Sequence, residues 1–253
     1  MTWRVVAASA TGTSHAVGGE PCQDSCWAQV DCPVGGPETL SIFVSDGAGS
    51  AARGGHGAET AIEAAASYLQ TQLARPEFCL SDEFAVECVV TIRERLYAAA
   101  AQAGLTTRDF ACTFLGVISS SQGTLAFQIG DGGIALDVGN GLEVPIVPMV
   151  GEYANMTHFV TDEDAVKVME SRVFLQPAIR VAAFSDGIQR LAMNMAANTA
   201  HEPFFAQFFP TLARTTSEQE EQLQSALANF LQSPAVNERT DDDKTLALAV
   251  LVP

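Results

Sequence analysis

The chain carries acidic residues in four short blocks that are spread from one end of its sequence to the other. The blocks are residues 22–25 (CQDS), 44–50 (VSDGAGS), 184–187 (FSDG) and 241–245 (DDDKT). Each of the last three adjoins an apolar run with the pattern of a β-strand, so each places an aspartate where a buried sheet meets solvent. Aspartates that converge there repel one another unless a cation lies between them, and hard divalent ions such as Mg²⁺ or Mn²⁺ prefer oxygen ligands. The blocks therefore predict a carboxylate metal site.

The composition indicates a folded globular protein. Hydrophobic residues make up 47% of the 253 positions, and the mean hydropathy is +0.15. A chain of this length and composition can bury a full hydrophobic core, so we expect one domain over residues 1–253.

Charge and hydropathy exclude several classes of partner. The 30 acidic and 13 basic residues give a net charge of −17, which opposes binding to nucleic acid. The first residues lack a basic start followed by a long apolar run, and no later apolar run reaches membrane-spanning length without polar interruption. The six cysteines include no CxxC pair, which disfavours structural zinc. We expect a soluble, cytoplasmic protein with reduced thiols and with no nucleic-acid or membrane partner.

The first half of the chain predicts strands followed by helices. Strand patterns occupy residues 3–10, 27–30 and 40–45, and their short links favour antiparallel pairing. Helical patterns follow at 58–74 and 83–103, separated by Pro76.

The second half predicts more strands, then helices, then one last strand. Strand-like runs occur at 110–120, 124–138, 157–161, 173–176 and 179–186, and helical patterns at 188–197, 204–215 and 217–232. The final run LALAVLV (246–252) is apolar throughout and belongs in the centre of a sheet. Grouped strands and grouped helices predict an α+β fold with antiparallel sheets.

Small residues follow the aspartates of two blocks. Asp46 precedes Gly47, Ala48 and Gly49, so a metal could approach both the carboxylate and the Gly47 carbonyl. Asp186 repeats the pattern, and the block DDDKT offers its three aspartates immediately before a strand. A single Asp-Gly pair is also a common turn, so the argument depends on the blocks occurring together.

Taken in order, these motifs resemble the type 2C metal-dependent serine/threonine protein phosphatases, and more closely their bacterial branch, whose first motif ends in QD. The resemblance spans nearly the whole chain: GTSHAVGGEPCQDS, VSDGAGS, CTFLGVI, IGDGGIAL, GEYANMTHFVT, FSDG and DDDKTLALAV. It implies the family's four-layer α-β-β-α sandwich, with two central antiparallel sheets flanked by helices and the metals in a cleft at one end of the sheets.

The resemblance also implies roles for individual residues. Asp46 would bridge two Mg²⁺ or Mn²⁺ ions and the Gly47 carbonyl would hold one of them, while Asp186 and Asp242 would hold the other. Asp241 is the alternative to Asp242. Asp24 matches a carboxylate that orders metal-bound water.

Asp131 matches the family residue that supports a third, weakly held metal ion. In such a site a hydroxide shared by the ions attacks phosphorus directly, without a covalent phosphoenzyme.

The chain departs from better-known members at two positions. At the position where those members have a histidine that can protonate the leaving group, this chain has Ala48. His56 is the nearest candidate by sequence to take over that role. At the position where those members have an arginine that binds the substrate phosphate, this chain has Gly19. His15 and Arg53 are the candidates to bind the phosphate instead. The alternative for each histidine is a loop residue that caps backbone groups, and for Arg53 a solvated loop charge.

Three functions remain open on the sequence. The first is a phosphatase acting on phosphoserine or phosphothreonine in proteins, as part of signal transduction opposite a bacterial serine/threonine kinase. The second is a regulatory module that keeps the fold but has lost turnover, because the phosphate-binding arginine is missing. The third is a metal-dependent phosphatase of a small molecule. The acidic surface would prefer a basic phosphorylated partner.

Overall fold

A computed structural model of the protein describes residues 2–33, 36–149 and 157–253. The strands are β1 Thr2–Ala10, β2 Asp24–Asp31, β3 Thr39–Asp46, β4 Phe114–Ser120, β5 Gly123–Ile129, β6 Gly133–Asp137, β7 Glu170–Phe174, β8 Arg180–Phe184, β9 Met193–Asn194, β10 Thr199–Ala200 and β11 Lys244–Val252. The α-helices are α1 Thr13–Gly18, α2 Gly54–Leu73, α3 Asp82–Ala103, α4 Ala165–Val168, α5 Gln189–Ala192, α6 Glu202–Phe205, α7 Phe209–Arg214, α8 Glu220–Leu231 and α9 Pro234–Asn237. Short 3₁₀ turns span Thr107–Phe110, Asp186–Ile188 and Ser217–Gln219.

Two antiparallel sheets form the centre of the fold. One has the strand order β2-β3-β4-β5-β7 and the other the order β1-β11-β8-β6. The last strand of the sequence, β11, lies between β1 and β8, which confirms the position predicted from its uninterrupted apolar run.

The alternation of side chains along each strand divides the apolar residues among three cores. In β3, Ile42 and Val44 face the other sheet, while Phe43 between them packs against α2 and α3. In β11, Leu246 packs towards the helices α6 to α8, and Ala247 beside it faces the other sheet. Since successive side chains of a strand point to opposite faces, each sheet is covered on both sides. The result is the predicted layering of helices, sheet, sheet and helices.

Local sequence sets the ends of the long helix α3. Ser81 at its N-terminus accepts a hydrogen bond from the Phe84 N–H at 3.2 Å, and Asp82 and Glu83 occupy its first turn, where negative charge is stabilised by the helix dipole. Gly104 ends the helix with φ of 67°, a left-handed conformation that favours glycine.

Two predicted elements are wrong. The helix predicted over 188–197 ends at Ala192, because Met193–Asn194 pairs as a short hairpin with Thr199–Ala200. The strand predicted over 157–161 is not one: these residues form loop and turn, although the Val160 N–H donates to the Cys112 carbonyl at 2.8 Å. Tertiary contacts override propensity in such short runs.

The phenylalanines of the run FFAQFFP (204–210) lie mostly in the core: Phe204, Phe205 and Phe209 are buried. Among the helices in the described part of the chain, none is long and apolar enough to cross a membrane.

We expect Gly57→Ala to destabilise the protein by about 1–3 kcal/mol, the usual range for overpacking. A Cβ atom at Gly57, in the first turns of α2, would lie 2.2 Å from the Phe110 carbonyl oxygen, which is backbone and cannot move aside cheaply. Urea unfolding measures the change. Gly18→Ala is the matched control, because its nearest neighbour would be the flexible Glu20 side chain at 3.7 Å. Equal stability of the two variants would contradict the close packing of α2.

Candidate metal centre

Four aspartates from separate parts of the chain line one small cavity at an end of the two sheets. Asp46 ends β3, Asp131 lies in the turn between β5 and β6, Asp186 follows β8, and Asp242 precedes β11. The cavity has a volume of about 180 Å³. Because β8 and β11 pair antiparallel, with Phe184 opposite Leu246, the end of one strand and the start of the other meet at the same edge.

The backbone of Asp46 is fixed by its neighbour strand. Its N–H donates to the Thr113 hydroxyl at 3.0 Å, and its carbonyl accepts from the Thr113 N–H at 2.8 Å. Burial, followed by the charges of Asp24 and Asp186, raises the pKa of Asp46 well above its usual value. The charge of Asp186 is one of these causes, so the two carboxylates repel one another unless a cation lies between them.

The pKa of Asp186 is also raised by its surroundings. Burial, and then the charges of Asp131 and Asp242, raise its pKa to about 6. Its Oδ1 atom is buried and has no hydrogen-bond partner among the described residues. A buried carboxylate oxygen without a partner is costly, and a divalent cation would satisfy it. The donor set consists of oxygen atoms, so it fits Mg²⁺ or Mn²⁺.

Gly47 brings the backbone to the cavity wall. The pairing of this segment with residue 112 uses the Asp46 carbonyl and the Ala48 N–H, so it does not use the Gly47 carbonyl. A Cβ atom at Gly47 would lie 2.3 Å from the Gly54 carbonyl carbon. The site therefore needs glycine here, because only glycine lets α2 approach this closely.

The three aspartates of DDDKT have three different environments. Asp241 and Asp242 are both exposed, but Asp241 does not line the cavity, and its carbonyl accepts hydrogen bonds from the N–H (3.0 Å) and the hydroxyl (2.7 Å) of Ser14. Asp242 lines the cavity. Asp243 is buried, and its carboxylate is occupied by protein donors, as described below. The geometry thus favours Asp242 over Asp241 as the candidate ligand.

The Asp243 carboxylate joins segments that are distant in the sequence through hydrogen bonds. Its Oδ1 accepts from the Gly12 N–H at 2.6 Å, and its Oδ2 accepts from the Gln23 N–H at 2.5 Å and lies 2.9 Å from His15 Nδ1. This role of Asp243 was not predicted from the sequence. The available signal was that three consecutive aspartates directly before a strand cannot all face one ion.

Asp24 lies opposite Asp46 in the pairing of β2 with β3. Its Oδ2 accepts from the hydroxyls of Ser185 and Thr245, both at 2.7 Å, while its buried Oδ1 has no partner among the described residues. Burial is the main cause that raises its pKa to about 7. The role of Ser185 and Thr245 was not predicted from the sequence, although both belong to the acidic blocks.

Asp131 is held by two neighbours. The Thr157 hydroxyl donates to its Oδ2, and Gln189 Nε2 donates to its carbonyl at 2.6 Å. Thr157 belongs to the motif GEYANMTHFVT (151–161), of which residues 151–156, including Asn155, lie outside the described residues.

The three candidates for substrate contacts lie in two places. His15 lines the carboxylate cavity, whereas Arg53 and His56 line a larger cleft of about 840 Å³ beside it; Gly49 lines both. The Arg53 side chain is exposed at the start of α2, and His56 is exposed, with Nδ1 3.6 Å from Glu59. Gly19 has φ of 73°, so an arginine at that position would be strained.

A different group of side chains meets the distance criterion for a single ion. Ligand atoms of His158, Asp162 and Asp164 lie within 4.8 Å of one another. Asp162 Oδ2 already accepts from the Phe159 N–H at 2.8 Å, and Asp164 is exposed. These contacts are those of a surface turn.

We expect the metal-free protein to lose stability as the pH rises from about 4 to 7. The pKa of Asp24 is higher in the folded state than its ordinary value of 3.8, so the unfolded state releases this proton first. Each unit of pKa shift corresponds to 1.36 kcal/mol, so the loss should be on the order of 2–4 kcal/mol. Urea unfolding in EDTA at several pH values measures it. Asp24→Asn keeps an acceptor for Ser185 and Thr245 and should flatten the dependence; an unchanged slope would contradict the assignment.

Comparisons with known proteins identify the family of the chain. The family model described as Protein phosphatase 2C matches residues 11–232. The chain is 54% identical over 250 residues to Serine/threonine-protein phosphatase 3 of Escherichia coli (strain K12), with 99% of both chains covered.

Solved structures share the fold at low identity. The serine/threonine phosphatase of S. agalactiae matches with a TM-score of 0.64 at 14% identity, covering 99% of this chain and 100% of that one. Stp1 from Staphylococcus aureus matches with a TM-score of 0.65 at 11% identity, covering 99% and 96%. RsbX in complex with magnesium matches with a TM-score of 0.57 at 12% identity, covering 98% and 95%. The α-β-β-α fold is therefore confirmed, and the chain belongs to the protein phosphatase 2C family.

Proposed function

We propose that the protein is a metal-dependent serine/threonine phosphatase that hydrolyses phosphoserine and phosphothreonine in proteins. One observation carries the proposal: four aspartates from distant segments line one cavity, and buried oxygens of Asp186 and of neighbouring Asp24 have no hydrogen-bond partner among the described residues. The names of the relatives, a serine/threonine-protein phosphatase at 54% identity among them, support it.

The proposed ligands follow the geometry. Asp46, Asp186 and Asp242, together with the Gly47 carbonyl, would hold two Mg²⁺ or Mn²⁺ ions, with Asp46 as the ligand that the two would share. Asp131 is the proposed support of a third ion. When bound, the two ions would lower the pKa of a shared water, so that it attacks phosphorus, and would neutralise charge on the phosphoryl oxygens.

The protein's own groups have complementary tasks. Asp24, fixed by Ser185 and Thr245, would orient water at the site through its free Oδ1. Arg53, exposed on the cleft next to the cavity, is the proposed contact for the phosphate of the substrate. Hydrolysis needs no nucleophilic side chain under this proposal, and the reaction would oppose that of a serine/threonine kinase.

We expect Asp46→Asn, Asp186→Asn and Asp242→Asn each to lower turnover of p-nitrophenyl phosphate with Mn²⁺ by more than about 100-fold. Substitution of a residue that hydrogen-bonds to a metal ligand typically lowers metal affinity or activity by about 10–100-fold, so loss of a ligand itself should lower activity further. EDTA should abolish turnover of the wild-type protein.

Asp241→Asn is the matched control for these variants, because it changes the neighbouring exposed aspartate, and it should keep most of the activity. Loss of activity in Asp241→Asn with retention in Asp242→Asn would reverse the ligand assignment.

We also expect phosphothreonine peptides flanked by arginine to have a higher kcat/KM than peptides flanked by glutamate. The cleft beside the cavity is lined by Glu20, Glu59 and Asp109, and the whole chain has a net charge of −17. Attraction of a charged ligand at low salt changes association rates by about tenfold or more. Kinetics at low and high salt test this: the preference should shrink with salt, and a salt-independent preference would exclude an electrostatic origin.

A further inference from the structure

His15 is the histidine of the described chain that lines the carboxylate cavity. It lies in the short helix α1, and its side chain is 18% exposed. Its Nδ1 atom lies 2.9 Å from Asp243 Oδ2.

The partner of His15 is rigidly held. Asp243 is 2% exposed, and its two oxygens also accept the backbone N–H groups of Gly12 and Gln23. Since both oxygens of Asp243 already act as acceptors, Asp243 accepts from His15 as well, and Nδ1 carries the hydrogen of this contact. Nε2 is therefore the ring nitrogen left for a molecule in the cavity, and the buried carboxylate fixes the ring orientation.

Among the described residues, the other groups that line the cavity are poor proton donors. The ionisable ones are Asp46, Asp131, Asp186 and Asp242, and all four are acceptors once cations are bound. The remaining polar side chains are the hydroxyls of Thr113 and Thr157, which are weak acids, and that of Thr157 already donates to Asp131. Yet the alkoxide released from phosphothreonine is a strong base and needs a proton as it leaves.

We propose that His15 is a catalytic residue that protonates the leaving alkoxide through Nε2, with Asp243 as its positioning residue. This inference rests on the proposed phosphatase function. As the bond from the water oxygen to phosphorus forms, the bond from phosphorus to the threonine oxygen breaks and its electron pair stays on that oxygen. The oxygen takes the proton from Nε2 of the imidazolium, which becomes a neutral ring that still donates Nδ1–H to Asp243. Solvent then returns a proton to Nε2.

His56, the acid candidate from sequence, has a different environment. It lies in the larger cleft, its side chain is 56% exposed, and Nδ1 faces Glu59 at the surface. Its ring packs against Phe110 with a centroid distance of 5.6 Å. These contacts fix it outside the carboxylate cavity.

The test compares two substrates that differ in their need for an acid. p-Nitrophenolate leaves without a proton, whereas the alkoxide of a phosphothreonine peptide requires one. The main variant is His15→Asn, whose amide nitrogen can replace Nδ1 and keep the hydrogen bond to Asp243 while removing Nε2. His201→Asn is the matched control, because His201 is exposed, does not line the cavity and bonds the Leu191 carbonyl.

We expect His15→Asn to lower kcat for the phosphopeptide by about 100-fold, the usual range for an acid being 10²–10⁴. Its kcat for p-nitrophenyl phosphate and its stabilisation by Mn²⁺ should change little, and His201→Asn should match the wild type on both substrates.

Equal losses on both substrates, or a loss confined to KM, would identify a phosphate contact or a structural role and overturn the proposal. A selective loss in His56→Asn instead would overturn it as well. Wild-type protein that hydrolyses neither substrate would overturn the proposed function itself, which separates the two failures.

Discussion

Repulsion between buried aspartates is the constraint on which the site depends. Asp24, Asp46 and Asp186 all have raised pKa values, and burial is the largest cause in each. A protein gains nothing in stability from carboxylates in such positions unless a cation neutralises them. The arrangement therefore indicates a functional site whose buried carboxylates lower the folding stability of the protein.

The two sheets hold these charges in place. Each aspartate is attached to a strand end or a strand turn, and the strands are buried on both faces by the three cores. Hydroxyls then fix individual groups: Thr113 holds the backbone of Asp46, while Ser185 and Thr245 hold one oxygen of Asp24. Rigid support of this kind keeps ligands in position before a metal arrives.

The segment before β2 joins the start of the chain to the site. Gly19 ends α1 in a left-handed conformation, where an arginine would be strained, and the same short helix carries His15 into the cavity. Asp243 joins this segment to the start of β11, so the acidic block supplies a support for the histidine as well as a candidate ligand.

The sequence by itself determined the family, the α+β class with antiparallel sheets, the central position of the last strand and the aspartates of the candidate site. These follow from local features: apolar runs of strand period, small residues after Asp46 and Asp186, and the order of the blocks. Only the tertiary structure placed Asp242, and not Asp241, in the lining of the cavity, placed His15 inside the cavity and His56 outside it, and ended the predicted helix at Ala192. Those outcomes depend on contacts between residues far apart in the chain, such as Asp243 with Gly12 and Gln23, and no local pattern encodes which of three adjacent carboxylates will face the protein and which the cavity.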